Sequence, residues 1–326
     1  MTRFQLLIVP ALLAFAACGS SSSSGSADAA ANPTDATSET VDAPPSSSMP
    51  PVYFNHTYGV VSQATIDAIQ TNEFVQSFID VEVRTTVRPD LTYTGTYLNL
   101  QNTYLEFFPT GTFDYTNQVF GIALGDEAEG GLDRVVGAWQ GEFGAEAAYA
   151  EDISHDVDGV DTPWFRLGGV TWSDESPYTS FWIMEYYPDE GSTTPRSRSQ
   201  ERARRYAPAK PARDVLAGLY AVRAEDLAPL RSSMESAGLT VADDGDGYVV
   251  RTAGSGDMQV SYFVQPLVEG QPGLRGLVLR TAAGLEAQTI TLGDGSLVVG
   301  GEASPSAILW FTTPTADDLT RARSVL

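Results

Sequence analysis

One order of elements recurs along this chain, and it limits the folds open to it more than any single motif does. Residues 52–61 (VYFNHTYGVV) are apolar and aromatic and read as a strand. Ser62 is placed to cap a helix over 63–78, with Ile66, Ile69, Val75 and Phe78 on its inner side. Three strand-like runs follow at 81–87, 92–100 and 103–108, and Gln101-Asn102 makes a turn between the last two. A second unit opens with a strand at 118–124. Its helix starts at Gly130-Gly131, with Leu132, Val135, Val136 and Trp139 on one face, and an acidic loop over 142–161 leads to strands at 164–172 and 178–187. A third unit opens at 215–222. Asp226 leads its helix and Gly238 ends it, and strands follow at 239–241, 247–251 and 258–265. More β-structure is expected at 274–281, 288–292, 296–299 and 307–312. Strand, helix, then strands thus recurs three times, at roughly 70–100-residue spacing, with no short solenoid repeat.

This pattern belongs to an α+β fold with few short helices. Apolar residues make up 42% of the 326, enough for a real core. Charge is divided unevenly. Residues 19–195 carry 27 acids and 4 bases, which accounts for the whole net charge of -23, whereas residues 196–326 are nearly balanced, with 15 acids and 14 bases. Such a surface repels phosphate, so electrostatic nucleic-acid binding is excluded. Seven bases (Arg196, Arg198, Arg202, Arg204, Arg205, Lys210 and Arg213) fall in one short stretch beside Pro195, Pro208 and Pro211. That stretch reads as a linker helix or strap docked on the acidic first half. A contact with a polyanion or lipid headgroup is the rival reading. A counter-charged surface in the same chain favours docking. The strap also divides the body into 51–195, a linker at 196–212, and 213–326.

The N-terminus carries a different signal. Arg3 precedes an apolar run from Phe4 to Ala17, too short to cross a bilayer, which takes about 20 residues. Residues 1–17 therefore read as a signal peptide. The run ends in Phe15-Ala16-Ala17 before Cys18, the only cysteine of the chain. This resembles the bacterial lipobox, although leucine is commoner than Phe15 at its position. The resemblance implies that Cys18 is acylated and anchors the protein to membrane lipid in the cell envelope. Gly19 after it favours the outer membrane in a Gram-negative host. Residues 18–50 are Ser-, Ala- and Asp-rich, without an aromatic or basic residue, and read as a disordered tether. With one cysteine there is no disulfide framework, no multi-cysteine zinc site and no thiol catalysis.

Particular residues carry a resemblance for the body. The segments NHTYGV (55–60), TYLEFF (103–108), FGIALGD (120–126) and FWIMEY (181–186) fall in the strand positions of paired βαβββ modules. The chain resembles the glyoxalase, or vicinal-oxygen-chelate, superfamily. More narrowly it resembles a bacterial family of glyoxalase-like proteins of unknown function. The likeness covers about 52–190 well and 213–312 loosely. It implies modules curling into open β cups, with 51–195 as a double module and 213–326 as a degenerate partner that has no histidine.

In that superfamily a cup holds one divalent metal on imidazole and carboxylate ligands, with open positions for substrate oxygens. Carried over, the metal candidates are His56, Glu106 and Glu185, a set that suits Mn, Fe or Zn. The fourth position falls near Gly121, which cannot ligate. The plain alternative for His56 is a hydrogen-bonded core histidine. Glu106 lies among Tyr104, Leu105, Phe107 and Phe108, where a carboxylate needs a partner, and His56, a metal or Arg84 would serve. A metal-free pocket for a small molecule, with Arg84 binding an anionic group beside Tyr58 and Tyr104, is the other reading. DVDGVD at 156–161 lacks the EF-hand order, its twelfth position being Leu167, and reads as an acidic surface loop beside a solvated His155. Two functions follow: a small-molecule-binding protein or metal-dependent enzyme of that superfamily, and a non-catalytic envelope module that binds a ligand or a protein partner. Convergence of His56, Glu106 and Glu185 favours the first. A cup plugged by aromatics favours the second.

Overall fold

The computed structural model describes residues 51–88, 91–172, 179–189, 191–252, 259–300 and 306–326. The leader, Cys18 and the tether lie outside the described residues. In the first half the elements are β1 (Tyr53–Val61), α1 (Gln63–Thr71), α2 (Glu73–Phe78), β2 (Asp80–Val87), β3 (Thr92–Asn99), β4 (Tyr104–Pro109), β5 (Phe120–Gly125), α3 (Gly131–Phe143), β6 (Ala148–Val157), β7 (Val160–Val170) and β8 (Thr179–Tyr186). The strap carries α4 (Arg198–Ala203). The second half has β9 (Ala212–Val222), α5 (Ala224–Ser236), β10 (Thr240–Asp244), β11 (Gly247–Arg251), β12 (Ser261–Pro266), β13 (Leu274–Thr281), β14 (Gln288–Leu292), β15 (Gly295–Val299), β16 (Ser306–Trp310) and α6 (Ala316–Ser324).

The strands form two eight-stranded sheets of the same order, β2-β3-β4-β1-β5-β8-β7-β6 and β10-β11-β12-β9-β13-β16-β15-β14. In the first, β1 runs parallel to β4 and β5 parallel to β8, and the two modules join where β1 meets β5 antiparallel. The α+β fold of repeated modules is therefore present, but the repeat count changes. The third unit is itself two modules, β9 to β12 and β13 to β16. The last escapes detection because it has no helix. Residues 282–287 alone link β13 to β14, too few for a crossover that returns the chain to its starting end. The module becomes wholly antiparallel: β14, β15 and β16 follow one another as hairpins, and β13 pairs with β16.

Local chemistry explains other departures. The helix over 63–78 breaks at Asn72, whose side-chain oxygen accepts from Phe74 and Val75 and caps α2. The acidic segment 142–161 is not a loop. It holds β6 and the start of β7, joined at Asp158-Gly159, both with positive φ as a tight hairpin turn requires. His155 is half-buried against Trp164, with ring centroids 4.9 Å apart, rather than solvated. A C-terminal helix, α6, adds to the expected elements and is held by a Thr315–Asp318 capping box.

The two sheets pack through one shared core. Phe54 meets Tyr262, Phe120 meets Tyr220, and Phe107 meets Phe311 across it. Helices α3 and α5 flank this layer, where the buried Trp139 donates its indole N–H to the Ser233 carbonyl at 2.8 Å. Each aromatic or aliphatic side chain fully buried here contributes on the order of 1.5–3 kcal/mol. The opposite face of each sheet is concave, and the two concave faces are filled differently.

Candidate functional site

A β-bulge decides what the first concave face contains. The β1–β5 register shifts between Phe54 and His56. Phe54 stays in the core between the sheets, and His56, Tyr58 and Val60 turn to the cup. Across the parallel pairing His56 lies beside Tyr104, and Tyr58 beside Glu106. His56 and Glu106 thus share the concave face, as the strand period predicts.

They do not bond to each other. Glu106, 8% exposed, accepts the Tyr97 hydroxyl at 2.5 Å. Burial pushes its carboxyl up to about 7, with the Tyr97 bond and Arg84 pulling the other way. The sequence offered His56, a metal or Arg84 as its partner, and a tyrosine from β3 fills that role. The His56 ring stacks on Tyr104 (4.1 Å) and takes the edge of Trp182 (5.2 Å). Its Nδ1 lies 3.1 Å from the Asn55 amide oxygen, which fixes the proton there. Burial, then the Arg202 and Arg84 charges, hold the ring well below the ordinary histidine value, so it is neutral at pH 7.

Glu185 belongs to the other face. Along β8, Ser180 and Trp182 point into the cup, where the Tyr58 and Ser180 hydroxyls bond at 3.0 Å. Phe181, Ile183 and Glu185 point to α3: Phe181 packs on Trp139, and Glu185 accepts from Gly130 N–H (3.2 Å) at the helix start and from Arg166 (3.3 Å). The expected His56–Glu106–Glu185 set is therefore split by the sheet, because one residue of register reverses a strand side chain. Among the described residues no three His, Cys, Asp or Glu side chains converge as metal ligands. At the fourth position, a Cβ on Gly121 would come within 2.3 Å of the Tyr58 ring and 2.5 Å of Trp182. Glycine there admits rings, not a ligand. Two donors on one side, one already bonded to Asn55 and the other to Tyr97, do not fit a divalent metal.

The mouth of the cup joins the strap, docked on the acidic first half as expected, to the ligand candidates Arg84 and Tyr104. The buried face of α4 presents Arg198, Glu201 and Arg202 to the first sheet. Arg202 stacks over Tyr104, 4.8 Å from its centroid, and donates to the Asn99 amide oxygen at 2.9 Å. Arg84 lies over Tyr97 at 4.0 Å and faces Trp164 at 5.6 Å. These groups, with Tyr186, Glu201 and Arg205, line a recess that spans about 290 Å³ to its open mouth, while its interior admits about one water, near 10 Å³. Of the ligand candidates, Arg84 and Tyr104 line this recess. Tyr58 lies deeper, packed among Phe108 and Trp182. The signal for Arg202 was its spacing of four from Arg198, which puts both on one helix face.

Residues 54–304 match the model of a family described as "Family of unknown function (DUF5829)". The chain belongs to that family. A search of curated proteins found no match. Solved structures with partial likeness include a triple mutant of 4-hydroxymandelate synthase from Streptomyces coelicolor (TM-score 0.36, 14% identity, covering 70% of each chain). Homoprotocatechuate 2,3-dioxygenase from Brevibacterium fuscum gives a TM-score of 0.33 at 14% identity, over 68% of this chain and 62% of that one. The 2,3-dioxygenase LapB from Pseudomonas sp. KL28 gives 0.39 at 12%, over 82% and 96%. At these scores the likenesses carry no argument about substrate or reaction.

Proposed function

We propose that this DUF5829 protein is a lipid-anchored binding module of the cell envelope, whose first cup is a metal-free, non-catalytic receptacle for a small molecule. One observation supports this above others: the three expected metal ligands diverge, with Glu185 across the sheet and His56 held between Tyr104 and Trp182. A metal-dependent reaction chamber needs open coordination positions facing its substrate. Aromatic rings occupy that space here, and the remaining recess is at the mouth. The anchor rests on the Arg3–Cys18 leader pattern and the polar tether after it.

Elemental analysis of the full chain, purified without chelator, tests the cup. The expected result is substoichiometric Mn, Fe and Zn, unchanged by His56→Ala. One equivalent of metal that disappears in His56→Ala overturns the metal-free reading. For the anchor, Cys18→Ser should release the protein from the membrane fraction, and full retention of that variant counts against lipidation.

A further inference from the structure

We propose that the recess between the strap and the first cup is an oxyanion site, in which Arg202 of α4 and Arg84 of β2 together take the carboxylate or phosphoryl group of a small ligand. This rests on reading the cup as a receptacle and adds the ligand's class.

The argument begins with how the chain satisfies its other buried arginine. Arg198 and Arg202 sit one turn apart on α4, and each is 2% exposed. The Arg198 guanidinium is fully engaged. It donates to the Phe54 carbonyl (3.0 Å), the Asn102 carbonyl (2.6 Å) and Glu127 (3.0 Å), and it pins the strap to the first sheet. Among the described residues Arg202 makes one side-chain bond, to Asn99, and its Nε is buried with no partner. No carboxylate among the described residues lies within ion-pair distance of it. An unpaired cation removed from water is costly, and the cost is recovered when an anion joins it.

Arg84 shares part of this pattern from the opposite wall. Its side chain is 24% exposed and pairs loosely with Glu82 at 3.7 Å, while its Nε is buried with no partner among the described residues. Glu82 is shared with Arg205 at 3.9 Å, and Glu201 is held by Arg196 at 3.2 Å and Arg205 at 3.3 Å. Three guanidiniums (Arg84, Arg202 and Arg205) thus line the recess with one carboxylate, Glu201, while Glu82 bridges Arg84 and Arg205 beside it, in a chain whose net charge is -23. Ring faces hold the planes of Arg84 and Arg202, so both forks are fixed before a ligand arrives. Guanidinium forks match carboxylate and phosphoryl oxygens geometrically. The interior of the recess has room for one oxygen-sized group, and its open side takes the rest of the molecule.

The test titrates the full-length protein, at constant ionic strength, with sodium benzoate, inorganic phosphate and the neutral analogue benzamide. It reads the thermal midpoint and the tryptophan fluorescence. A saturable rise of about 5 °C at a hundredfold excess over Kd is expected with benzoate or with phosphate, and not with benzamide. Whichever anion responds identifies the group as carboxylate or phosphoryl. Arg202→Met should remove the response, and Arg84→Met provides the same reading if Arg202→Met does not fold. Arg204→Met should keep it, because Arg204 lies outside the recess, half exposed and paired with Asp189. A response that survives Arg202→Met or Arg84→Met overturns the assignment. Benzamide acting as strongly as benzoate overturns the anion class and leaves the receptacle standing. Silence to all three compounds removes both.

Discussion

The two concave faces share a strand order and almost nothing else. In the first sheet one row reads Glu106–Tyr58–Gly121 across β4, β1 and β5, and in the second the row with its glycine reads Phe263–Leu219–Gly276 across β12, β9 and β13. The next row is Tyr104–His56–Ala123 in the first and Ser261–Ala217–Val278 in the second. Both glycines let an aromatic ring lie on the sheet, Trp182 in one and Trp310 in the other. The second cup is apolar and is closed by α6, whose Leu319 and Ala322 pack on Leu219, Phe263, Val278 and Trp310. The first is lined by tyrosines, a neutral histidine and a buried acid, and is closed by the basic strap. Each cover brings a buried arginine into play. Both arginines leave their Nε without a hydrogen-bond partner among the described residues, but Arg275 in the second half is paired with Asp318 of α6, whereas no described carboxylate pairs with Arg202 in the first. One cup has been converted to core, and the other has kept unmet polar capacity at its mouth.

If the second cup is core, breaking its centre should have the largest effect. Trp310→Ala removes a 2%-exposed ring and should cost about 3–5 kcal/mol in urea unfolding. Trp182→Ala should cost less, since Trp182 is only half-buried. Equal costs would erase the contrast. The arginines give the next effect. Arg275→Met strands Asp318 and should cost about 3 kcal/mol, because a buried charge loses its partner. Arg202→Met strands no carboxylate and should stay within about 1 kcal/mol of wild type without ligand. A large loss in Arg202→Met would show that its interactions with Asn99 and Tyr104 are structural rather than a waiting site.

Much of this fold is legible in the sequence, and the failures have physical causes. Long apolar runs such as 52–61 and hydrophobic spacing such as that of Leu132, Val135, Val136 and Trp139 give β1 and α3 directly. The β6–β7 hairpin is hidden because it forms an exposed edge, where acids such as Glu151, Asp152 and Asp156 replace the alternation that marks a strand. The fourth module is hidden because a helix was the cue and it has none. Within the site, His56 and Glu106 are found because a single strand period places them, while Glu185 is lost because its period had to be counted from an uncertain start. Arg202 was visible as a residue but not as a neighbour. Only the path of the strap over the cup brings it to Tyr104, and no local pattern encodes that path.

The last effect concerns pH, and of the two cups only the first should show it. Glu106 has a folded value of about 7 against about 4.5 unfolded, with burial as the main cause. Between these values the folded chain holds a proton that the unfolded chain has released, so stability is full below about 4.5 and falls as pH rises to about 7. Asp126, pushed to about 7 by burial and by Glu185, slopes the same way from the α3 side of the sheet. His56 opposes them: its lowered value means stability is lost as pH falls below about 6.5. Glu106→Gln keeps an acceptor for the Tyr97 hydroxyl and cannot ionise. It should match wild type near pH 4.5 and exceed it by about 2 kcal/mol at pH 8, a discounted share of the full linkage, with the Asp126 slope remaining. Phe263, in the corresponding row of the second cup, has no such proton to release, so Phe263→Leu should shift stability equally at both pH values. Urea unfolding of the three proteins at the two pH values decides the matter. A Glu106→Gln variant no more stable than wild type at pH 8 would mean that the carboxylate is already paid for by Arg84, and that the two cups differ less than their linings suggest.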